Sequence, residues 1–302
     1  MASKLSLRWR GQKLENLERS PFSRTEDGLA DYRNAPVAAL RQLEGLLLMD
    51  TDFSGADFSK MRLHAVRFAN CRFDRADFTG VSEQDSLFDS CSFICTDWRV
   101  GHIGREHSQY RRSVFESPKL AKTNFYNPRF EECRFAGAWK GVDFNTSGFW
   151  GCEFAGNFED IMFRGDYLYA SERARYGAPR DTGLHNTSFT AAELHWVGLA
   201  GGCAVDRVEM PRSNNAFICD LPRLFRDEAS LLDGAASELQ QVLKKYLDVI
   251  RPGPVREGVV AQQLIIVSRH DLVSVSRSDV LGGAAYDRLH ASAAVADPTL
   301  VH

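Results

Sequence analysis

Between Leu46 and Ile103 a large apolar residue returns at every fifth position. The series is Leu48, Phe53, Phe58, Leu63, Phe68, Phe73, Phe78, Phe88, Phe93, Trp98 and Ile103, and only Glu83 breaks it. Two residues before these positions stand small or compact side chains: Thr51, Ala56, Val66, Cys71, Ala76, Val81, Ser86, Cys91 and Thr96, with Met61 the one larger occupant. An α-helix repeats its face about every 3.6 residues and a strand about every two, so a strict five belongs to neither. A fixed period predicts a repeat architecture, in which each unit buries its apolar face by stacking on its neighbours. A buried, unpaired carboxylate is expensive. The segment Val81 to Asp85 is therefore expected to bulge outward, or Glu83 to reach solvent or a basic partner.

The phase then slips. Phe115, Leu120, Phe125, Phe130 and Phe135 make a second register, Phe144, Phe149 and Phe154 a third, Phe158, Phe163 and Leu168 a fourth, and Leu184, Phe189, Leu194 and Leu199 a fifth. Two polar interruptions, residues 104–112 and 170–183, read as loops that leave the repeat. Residues 1–33 read as a loosely ordered polar arm. Asn34, Pro36 and the run Val37 to Glu44 predict a short helix covering the first open end. From Asp227 the period becomes helical. Leu232, Ala235, Leu239, Val242, Tyr246 and Val249 form a seam widened by Leu243, Leu247 and Ile250, and Arg251-Pro252-Gly253-Pro254 stops the helix. A further helix is expected from Ser278 to His290. The segments are thus 1–45, an arm with a capping helix; 46–220, the repeat; and 221–302, a helical C-terminal region.

The stretch resembles the pentapeptide-repeat family, whose consensus is roughly Ala-Asp/Asn-Leu/Phe-X-X. The matching units are Ala56-Asp57-Phe58-Ser59-Lys60, Cys71-Arg72-Phe73-Asp74-Arg75, Ala76-Asp77-Phe78-Thr79-Gly80 and Cys91-Ser92-Phe93-Ile94-Cys95. The resemblance implies an all-β fold, a right-handed quadrilateral β-helix, here with short N-terminal and longer C-terminal helical extensions. Four units would make one coil, with the central Leu or Phe and the small residue inward. Some members of the family confer quinolone resistance by resembling duplex DNA and binding DNA gyrase or topoisomerase IV. Several of these dimerise through a C-terminal helix and carry two projecting loops.

Composition separates the functional readings. The net charge is −3, and between Leu46 and Asp220 24 Asp and Glu stand against 20 Lys and Arg. A mimic of DNA's dense phosphate charge needs a stronger excess of acid. The seven cysteines, an odd number, suit a reducing compartment. Cys71, Cys91, Cys133 and Cys152 fall on the small inward position and read as a ladder of buried thiols. No apolar run reaches the roughly 18 residues of a membrane span, and Met1 to Arg8 has no signal-peptide core; a cytoplasmic location is expected. No catalytic, cofactor-binding or metal-binding constellation is present in the sequence, so the expectation is a non-catalytic protein-interaction scaffold without cofactors. The candidate partner-binding residues are the loop arginines Arg105, Arg111, Arg112, Arg173, Arg175 and Arg180, and the column Asp57, Asp77 and Asp97 that a 20-residue coil would stack. Direct nucleic-acid binding is not expected, because no aromatic interleaving or nucleic-acid motif accompanies the arginines. A homodimer is expected through Leu232, Leu239, Val242, Leu243, Tyr246 and Val249, the alternative being that this helix packs on the end of its own solenoid as a C-terminal cap. The alternative function is a DNA mimic that binds a type II topoisomerase and protects it from inhibitors.

Overall fold

The computed structural model describes residues 8–10, 12–211, 216–251, 262–292 and 294–296. It divides into two compact units, Met1–Ala138 with Ser147–Glu153, and Trp139–Thr146 with Phe154–His302. This division runs through the expected repeat segment.

The first unit winds as a parallel β-solenoid. Short strands pair with the strand one coil away in register, Leu43 beside Leu63, Leu63 beside Glu83, and Phe68 beside Phe88. The five-residue period has a backbone cause. Asp50, Gly55, Lys60, Ala65, Asn70, Arg75, Gly80, Asp85, Ser90, Cys95 and Val100 all have φ between +47° and +69°. Each is a corner two residues after an inward side chain, which is apolar in every case except Glu83 before Asp85. A left-handed corner costs a non-glycine residue about 1 kcal/mol, so it persists only where stacking fixes it. The stacking is extensive. Phe53, Phe73, Phe93, Phe115 and Phe135 form one column of near-parallel rings 4.8–5.4 Å apart. Phe68, Phe88, Tyr110, Phe130 and Phe149 form a second. Both run at the interstrand spacing of a sheet, so ladder and core share one repeat distance.

The N-terminus departs from expectation. Of the residues read as a loose arm, Trp9, Leu14, Leu17, Leu29 and Tyr32 are buried. Trp9 stacks on Tyr32, and Tyr32 packs 5.5 Å from Phe53. The expected helix over Val37 to Glu44 is a single 3-10 turn, Val37–Leu40, followed by the strand Gln42–Glu44. Leu43 sits one coil before Leu63, so the repeat begins earlier than its sequence signal and draws this segment into a strand.

Residues 104–112 are not a loop leaving the repeat. They contain the end of the strand His102–Arg105 and the strand Gln109–Arg111. Tyr110 takes the inward position and stacks 4.9 Å from Phe88. This coil is longer by two residues, since Phe88 pairs with Tyr110 and Phe93 with Phe115. A register shift opposite Glu83 and the left-handed pair Glu106 and His107 absorb the extra length.

Within the second unit, Phe144 stacks on Phe163 at 5.3 Å and Phe154 on Phe189 at 4.6 Å. The expected loop 170–183 contains the helix Ala170–Tyr176. Parallel coils leave an open edge, and here an antiparallel strand covers it. Gln262–Val267, which holds the apolar run Leu264 to Val267, pairs with Val197 to Ala200 on one side and with Phe217–Asp220 on the other. Helices Ser237–Ile250, Arg269–Ser276 and Asp279–His290 share a buried apolar cluster with Ile265 and Val267 of this strand. The last matches the expected helix, and Ser278 caps it by accepting from the Leu281 N–H. The Pro-Gly-Pro stop lies outside the described residues.

The helical seam does not need a second chain to cover it. Val242, Leu243, Tyr246, Leu247 and Ile250 are buried against Leu272, Ala285 and Leu289, with Leu232 and Leu239 packed beside them. Of the six residues expected to dimerise, Val249 alone is exposed. The C-terminal tail supplies the apolar surface that a partner was expected to supply. Val249→Asp is therefore expected to change stability by no more than about 0.5 kcal/mol, read from urea unfolding midpoints.

Candidate functional site

Glu83 is the one acidic side chain at an inward position of the first register, and it does not bulge out. It is fully buried. Its Oε2 accepts hydrogen bonds from the Gly104 N–H at 2.8 Å and the Tyr110 hydroxyl at 3.3 Å. Gly104 has φ +87°, the residue that loosens the register opposite Glu83. The expectation of solvent or a basic partner thus fails, because neutral donors in the longer coil take that role. Burial pushes the Glu83 carboxyl up to about 7. Burial, followed by the Glu83 charge, pushes the Tyr110 phenol well above its ordinary value. Sealed within the coil, this cluster offers nothing to a substrate.

The inward cysteines are also inert. Cys71, Cys91, Cys133 and Cys152 are free and buried. Each thiol reaches a carbonyl in the preceding coil, of Leu48, Phe68, Tyr110 and Phe130 respectively, at 3.3–3.7 Å. Burial pushes the Cys91 and Cys152 thiols up, away from the thiolate a nucleophile needs.

Asp57, Asp77 and Asp97 do stack in one ladder, which continues to Lys119. Each carboxylate accepts the backbone N–H two residues on, from Ser59, Thr79 and Arg99. Asp97 is also paired with Arg99 at 2.7 Å, and that guanidinium holds its carboxyl below the usual range. The column thus closes turns and ends in a cation.

The arginines are largely spoken for. Arg112 pairs with Asp89, Arg111 with Glu131 and Arg173 with Asp166. Arg105 lies 5.0 Å over the Tyr126 ring, and Arg175 5.2 Å over Tyr176. Arg180 is exposed. The two groups occupy different units, one on a solenoid strand and corner, the other on and after a short helix.

Sequence reasoning passed over a different surface of the first unit. Leu46, Leu47 and Met49 are 41%, 63% and 53% exposed. They occupy outward positions, where the repeat mostly places polar residues, and three apolar side chains so close together were the available signal. Leu47 to Met49 pairs on one side with Arg67 to Ala69. On its other side, among the described residues, pairing begins at Thr51, with Ala30. A groove of about 590 Å³ adjoins this edge, lined by Leu17, Tyr32, Leu40 and Leu43, with Glu15, Glu18 and Arg24 among the polar residues.

Among the described residues no three His, Cys, Asp or Glu side chains converge as a ready metal cluster. No helix there is long and apolar enough to cross a membrane. A pair of imidazoles, His195 and His270, meets in the second unit with ring centroids 4.0 Å apart.

A family model described as pentapeptide repeats matches residues 47–82, in eight copies. Residues 47–82 are thus a run of pentapeptide repeats. The matched residues all lie in the first unit. Among solved structures it is similar to HetL, a pentapeptide repeat protein involved in heterocyst differentiation regulation from the cyanobacterium Nostoc. The identity is 12% over 70% of this chain and 91% of HetL, with a TM-score of 0.28. It is also similar to QnrB1, a plasmid-mediated fluoroquinolone resistance protein, at 14% identity over 71% of this chain and 92% of the other, with a TM-score of 0.23. No curated protein matches the chain.

Proposed function

We propose that this chain is a non-catalytic scaffold that receives an extended segment of a partner protein along the edge of its first coil. The observation that carries the proposal is the apolar strip Leu46, Leu47 and Met49 on a strand whose second edge, among the described residues, is unpaired over Leu47 to Met49. In a parallel ladder alternate residues turn their N–H and C=O to opposite neighbours. The Leu46 carbonyl accepts from Arg67, so the backbone groups of Leu47 and Met49 turn the other way. An added strand would hydrogen-bond them and seat its side chains on the exposed Leu and Met, as in β-augmentation. Contiguous apolar exposure of this kind marks an interaction site or an aggregation risk. The seven free cysteines fit a reducing, cytoplasmic setting.

Affinity capture from the native host tests this with the parent and a Leu47→Asp/Met49→Asp variant side by side. The parent is expected to retain a partner that the variant loses, with both proteins melting alike. Identical captured sets would overturn the reading.

The alternative, protection of a type II topoisomerase by a DNA mimic, rests on the sequence resemblance. The nearly balanced charge speaks against it, as do aspartates committed to turns. A gyrase supercoiling assay with a quinolone separates the two. The scaffold reading expects the same inhibition with and without this protein.

A further inference from the structure

We propose that His195 and His270 hold a divalent transition-metal ion of the zinc and copper class. His195 stands on the strand Ser188–Ala200, and His270 in the first turn of the helix Arg269–Ser276, both in the second unit. Their ring centroids lie 4.0 Å apart at an interplanar angle of 50°. Two imidazole nitrogens bound to one tetrahedral ion at about 2.0–2.1 Å stand roughly 3.3 Å apart. To aim a nitrogen from each ring at one ion, the rings must part from 4.0 Å to about 5 Å between centroids, a shift of about 1 Å that side-chain rotation supplies.

A second observation is independent of the ring packing. Nδ1 of His195 is buried and has no hydrogen-bond partner. Buried polar atoms are nearly always satisfied, and a neutral imidazole with an unused nitrogen is a ready metal ligand. Burial, followed by the His270 charge, lowers the His195 imidazole and keeps it in the neutral form a metal needs, and two carboxylates stand near enough to attract an ion. The charges of Glu193 and Glu159 both reach His195, and that of Glu159 also reaches His270. Glu159 is exposed at the side chain and now pairs with Lys140 at 2.7 Å. A surface ion pair of this kind contributes little, so the carboxylate is able to leave Lys140 and become a third ligand. Imidazole nitrogens select zinc, copper and nickel over magnesium and calcium, which take oxygen ligands. The remaining coordination positions would be filled by water, leaving an open site.

Such an ion would tie the strand Ser188–Ala200 to the helix Arg269–Ser276. Calorimetric titration of tag-free protein with zinc sulfate at neutral pH tests the site. One ion is expected to bind per chain, and the melting temperature to rise with its concentration. His270 is exposed, so His270→Ala tests the site without opening the core. It is expected to weaken binding about tenfold or more and to abolish the thermal shift. His195→Ala should do the same and Glu159→Gln should weaken binding less, whereas His290→Ala should leave it unchanged. The proposal is overturned if the parent binds no zinc, or if His270→Ala binds it as tightly as the parent does.

Discussion

Phe73→Ala is expected to cost about 3–5 kcal/mol of folding stability. The Phe73 ring is fully buried and stacked between Phe53, 5.4 Å away, and Phe93, 5.1 Å away. The edges of Phe58, Phe68 and Phe78 close the remaining sides. Removing the ring leaves both stacked neighbours facing a void. The coil cannot close that void, because ladder hydrogen bonds hold adjacent strands about 4.8 Å apart. The lining atoms therefore lose their dispersion contacts outright. At about 2–4 °C per kcal/mol for a domain of this size, the melting temperature should fall by about 10 °C. Thermal unfolding followed by circular dichroism gives the result. A variant melting within about 2 °C of the parent would show that Phe73 is not in a packed column.

Between about pH 5 and about pH 8 the parent is expected to lose about 3 kcal/mol more stability than Glu83→Gln. Burial lifts the Glu83 carboxyl from its ordinary 4.5 to about 7 in the folded chain. Between those values the folded state holds a proton that the unfolded state has released. Stability falls with rising pH wherever the folded state binds more protons. The contribution is therefore whole below about 4.5, declines across the window, and levels off above about 7. Glutamine stays neutral throughout and keeps an oxygen for the Gly104 N–H. Urea unfolding of both proteins at the two pH values yields the difference. Asp271, also lifted to about 7 by burial, titrates in both and cancels. Equal pH slopes in the two proteins would mean that Glu83 is not held neutral in the core.

The solenoid was legible because its signal is local and repeated. Each Phe of the series is both a sequence mark and a packing unit, and Phe58, Phe73, Phe78 and Phe93 are all fully buried. What broke the reading at residues 104–112 was length. Two extra residues in one coil displace the period in sequence, whereas in space a loosened register and two left-handed residues restore it, with Tyr110 back in the column. Counting along a chain cannot distinguish an insertion absorbed at a corner from a loop that leaves. Glu83 was misread for the same reason. Its hydrogen-bond donors, Gly104 and Tyr110, are 21 and 27 residues away and lie within the segment taken for a loop.

The candidate sites divide in the same way. The aspartate ladder followed from the 20-residue coil and is there. Its use in closing turns, and the pairing of Arg111, Arg112 and Arg173 with acids on other segments, depend on side-chain directions that spacing does not carry. The seam from Leu232 to Val249 announced an apolar helix face but not its cover. The strand Gln262–Val267 and two later helices supply that cover from the same chain. By itself, then, the sequence determined the period, the inward residues and the helical face, because each is set by the geometry of a few neighbouring residues. Only the tertiary structure decided which strand edge stays open beside Leu47 and Met49, which charges cancel, and which imidazoles meet, because those outcomes depend on contacts between residues far apart in the chain.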